Sequence, residues 1–164
     1  MKIQLVTPAP LNLNNGNRIT ALRWAAILKK LGHRVKILQE YRPSRCDLLI
    51  ALHARRSADS IRLFHDRQPN QPVIVVLTGT DVYRDIRTQR RARQSLEFAT
   101  RIVVLQQMAL REVPQRFQRK THVIYQSAEP LRRRQSDRAA RFRVCVIGHL
   151  RAEKDPLRAA LAVR

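Results

Sequence analysis

Acidic residues are scarce: 12 Asp and Glu stand against 33 Lys and Arg, a formal net charge of +21 over 164 residues. Six of the bases are lysine and 27 arginine, so the chain is rich in the planar fork of donors that grips phosphate or carboxylate in two places at once. An anionic partner is implied, either nucleic acid, bound with counterion release, or a phosphorylated small molecule. Arginines on solvent-facing helix surfaces account for part of the excess. Cysteine is nearly absent. Cys46 and Cys145 have no CxxC or Cys/His cluster around them, which excludes a disulfide framework and a structural zinc and leaves two reduced thiols, expected beside strands. Four glycines form neither GxGxxG nor a Walker loop, which disfavours a dinucleotide or ATP site; no cofactor and no metal are expected. Aromatic residues make up 5 %, few for stacking on bases, and no helix-turn-helix, RNP or zinc signature accompanies them, so a basic nucleic-acid-binding module is the lesser reading of the charge. No apolar run approaches the roughly 18 residues of a membrane span. The opening Met1–Val6 turns at Thr7-Pro8 too early for a signal peptide, so a cytoplasmic protein with no membrane partner is expected.

What is present is globular: 44 % hydrophobic and 27 % charged residues, enough apolar material for one ordinary core. Strand-like apolar runs fall at 2–7, 34–38, 47–52, 73–78, 101–105, 122–125 and 143–147, most of them continuous as in strands buried on both faces. Helical stretches separate them, and that alternation predicts an α/β fold, a doubly wound parallel sheet. The surest helix is 17–31, with Ile19, Leu22, Ala26, Leu28 and Leu31 at helical spacing and Gly32 in the stop position. Shorter helices are expected at 57–67, 90–99 and 109–119, the last interrupted by Pro114. Residues 1–128 read as one domain. The arginine-rich, aperiodic 129–141 reads as a linker, and 142–164 as the first βα unit of a second domain, incomplete at Arg164 and with its helix starting at Asp155-Pro156.

In open α/β sheets ligands bind outside the carboxyl ends of the strands, so the loops there carry the candidate chemistry. The first loop leads through Gly16, Asn17 and Arg18 into the long helix, where free N–H groups favour an anion; an Asn-rich helix cap explains it equally simply. The second, His53-Ala54-Arg55-Arg56, places a histidine and two arginines directly after a buried strand, suited to a phosphate, with a structural hydrogen bond as the alternative for His53. In the third, Thr78-Gly79-Thr80-Asp81, the hydroxyls are suited to sugar and the carboxylate to a proton, while Gly79 admits close approach; an Asp helix cap is the alternative. His53 and Asp81 are the candidate catalytic residues. The last loop, Gly148 to Pro156, combines a glycine turn with His149, Arg151 and Lys154 before a helix, a phosphate-binding pattern or a basic surface turn.

Taken in order, "LGHRV", "DLLIALH", "TGTD", "VIYQSA" and "GHLRAEKDP" resemble the two-domain GT-B glycosyltransferases of the family 4 type over the whole chain. More narrowly, "GNRITALRWA", "ALHARRSA", "LTGTDVYRD" and "RVCVIGHLRAEKDPLRAALA" are similar to the selenosugar synthase branch of selenoneine biosynthesis. The resemblance implies a Rossmann-like acceptor-side domain, the start of a donor-binding domain, and transfer of a sugar from a UDP-sugar to selenophosphate, with inactivity of this stretch alone. It implies that Gly16 to Arg18 lie near acceptor and donor phosphates, although the family's second glycine is missing. Thr78 stands where the wider family has histidine. Lys154 matches the family's lysine on the donor diphosphate, with His149 at an arginine position and Arg151 as its substitute.

Overall fold

A computed structural model describes residues 1–10, 12, 15–129, 145–146, 155 and 157–162. Two compact units divide the chain, Met1–Glu129 and Pro130–Arg164. In the first, six parallel strands form one sheet: β1 (Lys2–Val6), β2 (Arg34–Leu38), β3 (Leu48–Leu52), β4 (Val73–Leu77), β5 (Arg101–Val104) and β6 (Thr121–Val123), in the spatial order β2-β1-β3-β4-β5-β6. The fold is therefore α/β with an all-parallel sheet flanked by helices, compatible with a Rossmann-like arrangement. Every residue of β3 is buried, the consequence of a central position with side chains covered on both faces.

Alternate strand residues feed two separate cores. On one face Ile3, Leu5, Ile50, Leu52, Val76 and Val103 pack with helix α1 (Gly16–Lys30). On the other, Leu49, Ala51, Val75, Leu77, Ile102 and Val104 meet Ile61 and Phe64 of α2 (Ala58–Arg67) and Ala92 and Leu96 of α4 (Arg90–Phe98). Between β4 and α4 the chain makes a π-helical turn, Asp81–Asp85, and a single turn α3 (Ile86–Thr88). After β5, a 3₁₀ turn, Gln107–Glu112, and the short α5 (Gln115–Gln118) replace the single helix expected over 109–119. Pro114 divides them because it lacks the N–H an uninterrupted helix needs.

Helix α1 differs from its sequence pattern in the face it buries. The buried residues are Thr20, Ala21 and Ala25, with Trp24 and Leu28 packed beside them, while Ile19, Leu22 and Leu31 are exposed. Two alanines let the helix axis approach the sheet closely, and that contact outweighs the larger side chains around the cylinder. The helix ends as expected: Gly32 takes φ +84, His33 N–H donates to the Leu28 carbonyl (3.1 Å) and Gly32 N–H to that of Lys29 (3.0 Å), a Schellman closure that requires a left-handed residue. Cys46 is free and buried, whereas Cys145, expected beside a strand, is exposed.

In the second unit the described structure is one turn, α6 (Arg158–Leu161), preceded by Asp155, whose carboxylate pairs with Arg158. The expected strand 143–147 and the residues His149, Arg151 and Lys154 lie, wholly or mainly, outside the described residues.

Candidate functional site

The strand order reverses between β1 and β3, since the crossover from β1 runs to β2 on one side and that from β3 to β4 on the other. In open parallel sheets such a switch point, outside the carboxyl ends of the strands, is where ligands bind. His53 is the first residue beyond β3. Its φ is +71, a left-handed conformation that costs a non-glycine residue about 1–3 kcal/mol. The surroundings hold it there: His53 N–H donates to the Val76 carbonyl (2.8 Å) and its own carbonyl accepts from Ser57 (3.0 Å). The imidazole is buried. Arg56 N–H donates to Nδ1 (3.4 Å) and Nε2 lies 3.3 Å from Thr80 Oγ1, so the neutral ring is assigned its proton on Nε2, donating to the threonine. Thr80 then keeps its own hydroxyl proton for another acceptor.

Asp81 joins the two loops. One carboxylate oxygen accepts from Ala54 N–H (3.0 Å) in the loop after β3; the other accepts from Thr78 N–H (3.0 Å) and Gly79 N–H (2.8 Å) in the loop after β4. The side chain is fully buried, and with three backbone donors to satisfy, its carboxylate fixes loop geometry. It is not a helix cap. Asp85, four residues on and also buried, is the second carboxylate of the cluster. His53 Nε2 is 4.0 Å from it, Arg55 Nε 3.1 Å and Arg84 Nε 3.3 Å.

Three buried side-chain polar atoms lack a hydrogen bond among the described residues: Arg55 Nε, Thr78 Oγ1 and Asp85 Oδ2. All three belong to the loops after β3 and β4. Arg55 Nε and Asp85 Oδ2 attract each other as charges at 3.1 Å, but the N–H does not point along that line. Orphaned buried groups are uncommon in folded proteins, and π-helical turns gather at functional positions; here both coincide with the strained histidine. Burial, followed by Arg56 and Arg55, lowers the His53 pKa below its ordinary 6.5, against the opposing pull of Asp81 and Asp85. The imidazole is therefore neutral at pH 7.

Of the strand-end residues singled out in the sequence, those after β3 and β4 lie on adjacent parallel strands, where His53 contacts Thr80, Ala54 N–H donates to Asp81, and Asp81 in turn holds Thr78 and Gly79; Arg55 reaches Asp85 and Arg56 N–H reaches His53. Gly16, Asn17 and Arg18 form the first turn of α1, with Asn15 Oδ1 capping Arg18 N–H (3.1 Å). Left-handed backbone, tolerated in principle at Gly16, occurs instead at His53. A Cβ at Gly16 or Gly79 would meet nothing within 4 Å, so there is open room above both. Asp85, Arg84 and Tyr83 were not singled out; the Asp81/Asp85 spacing of four, which stacks two carboxylates along a helical turn, was the available signal.

Two open hollows lie on the surface of this unit, one of them beside these loops. The larger, about 460 Å³, is lined by Arg90, Arg93, Gln94, Glu97 and Arg116 and contains no residue of the strand-end loops. The smaller, about 330 Å³, is lined by Arg55, Arg56, Asp59, Gln89 and Arg91 and adjoins the His53 cluster through Arg55. Among the described residues no group of His, Cys, Asp or Glu is arranged to hold a metal ion, and no helix is long and apolar enough to cross a membrane.

No protein-family model matches the sequence, and no curated protein matches it.

Proposed function

We propose that residues 1–128 are the acceptor-binding half of a GT-B glycosyltransferase that transfers a sugar from a UDP-sugar to an anionic acceptor, selenophosphate. The observation that carries this reading is the cluster of His53, Thr80 and Arg55 at the switch point of a parallel sheet, where a strained neutral histidine and an arginine flank orphaned polar atoms. The order of the strand-end motifs, similar to family 4 transferases, supports it. In this reaction selenium attacks the anomeric carbon, a C–Se bond forms as the C–O bond to the diphosphate breaks, and the electron pair leaves with UDP. The nucleophile is already anionic, so no strong general base is needed. Positive charge and donors matter more. Arg18, Arg55 and Arg56 hold the anion, the free proton of Thr80 hydrogen-bonds it, and His53 orients Thr80. Lys154, with Arg151 or His149, would stabilise charge on the departing diphosphate.

The test is UDP release from UDP-sugars with selenophosphate, by the protein as its gene encodes it. His53→Ala and Lys154→Ala are expected to cut turnover about 100-fold or more with the fold intact by circular dichroism. Absence of UDP release under any donor, or unchanged turnover in both variants, would sink the assignment. A nucleic-acid-binding role rests on the charge alone, and no described feature favours it.

A further inference from the structure

We propose that the hollow between the start of α2 and the start of α4 is a binding site for a phosphoryl dianion, formed by Arg55, Arg56 and Arg91 with Gln89 and occupied at rest by the carboxylate of Asp59. It deepens the preceding reading by giving the acceptor's charged group a place, and rests on that reading only for the ligand's identity. Three guanidiniums from two separate segments line a space of about 330 Å³ with one carboxylate. That excess of positive charge in an open, water-accessible hollow suits a small dianion.

Arg91 and Asp59 form an ion pair across it, and both side chains are more than half exposed, at 63 % and 64 %. Exposed pairs of this kind are weak. A ligand with two formal charges and three oxygens displaces a single carboxylate because it can accept from several guanidinium forks together. Asp59 has a second partner to fall back on, Arg62 at 3.9 Å. Arg55 connects this hollow to the buried cluster: it lines the one and touches Asp85 in the other, in a contact too poorly aligned for a hydrogen bond. An anion in the hollow therefore gives Arg55 an external partner in place of its poorly aligned contact with Asp85.

A further readout follows from the charges around His53, which are Asp81, Asp85, Arg55 and Arg56. The two arginines oppose protonation of the ring, so an anion that offsets them makes protonation easier, and phosphate should raise the His53 pKa.

Inorganic phosphate is the probe, titrated at constant ionic strength by calorimetry with no sugar nucleotide present. Arg91→Ala is expected to weaken binding about tenfold, the loss of one charge-assisted contact, and Asp59→Asn to tighten it severalfold by removing the resident competitor. The histidine ring signals should show His53 titrating at higher pH with phosphate bound. No phosphate binding, equal affinity in Arg91→Ala, or weaker binding in Asp59→Asn overturns the site. Selenophosphate and a sugar-free phosphomonoester, run in parallel, separate the ligand sources. Phosphate binding with these signs but no UDP release in the transferase assay leaves the site standing and removes the transferase reading.

Discussion

At the scale of single residues, His53 combines two unfavourable features: a left-handed backbone and an imidazole taken out of water. The second has a measurable sign. Burial lowers the folded-state pKa below the ordinary 6.5, so as pH falls through 6.5 the unfolded chain takes up a proton that the folded chain resists. The unfolded state then binds more protons, and stability must decrease until the folded pKa is passed. Urea midpoints are expected to drop between about pH 7.5 and pH 5.5, and His53→Asn should flatten that slope, because asparagine tolerates left-handed backbone and does not titrate. An identical slope in the variant would show that the proton is taken up elsewhere. Asp81, by contrast, is held by three backbone donors in two loops, which makes it a fastener for the loops that carry His53 and Thr80.

Among the elements, α1 shows where side-chain size and packing part company. Ala25 is buried against the sheet while Leu22 is 41 % exposed. Ala25→Leu should therefore destabilise by about 1–3 kcal/mol through overpacking, and Leu22→Ala by less than about 1 kcal/mol. Equilibrium denaturation of the two variants checks it, and the reverse order would mean that α1 turns its larger apolar face inward. The π-helical turn Asp81–Asp85 matters for a different reason. Its wider winding brings Asp85 within 4.0 Å of His53 while Asp81 stays on the backbone donors.

For the whole molecule, charge is the dominant global property. Residues 1–129 hold 23 basic and nine acidic side chains, and two of those acids, Asp81 and Asp85, are buried. The remaining surface is strongly positive and repels itself in the compact state. Stability measured by urea denaturation is expected to rise as sodium chloride increases from about 0.02 M to 0.3 M, where screening shortens from roughly 20 Å to under 10 Å; a fall would mean that surface ion pairs such as Arg116–Glu97 and Arg23–Glu129 outweigh the repulsion. The sequence by itself determined the alternation of buried strands and helices, the Gly32 stop and the gathering of chemistry in the strand-end loops, because continuous apolar runs and a left-handed helix end are local demands. Only the tertiary structure decided which face of α1 is buried, that His53 takes a strained backbone, that Asp81 fastens loops, and that Asp85 and Arg91 join the arginines of the β3 loop. These depend on contacts between segments about 30 residues apart, as Asp59 with Arg91 is, and no local pattern encodes which segments will meet.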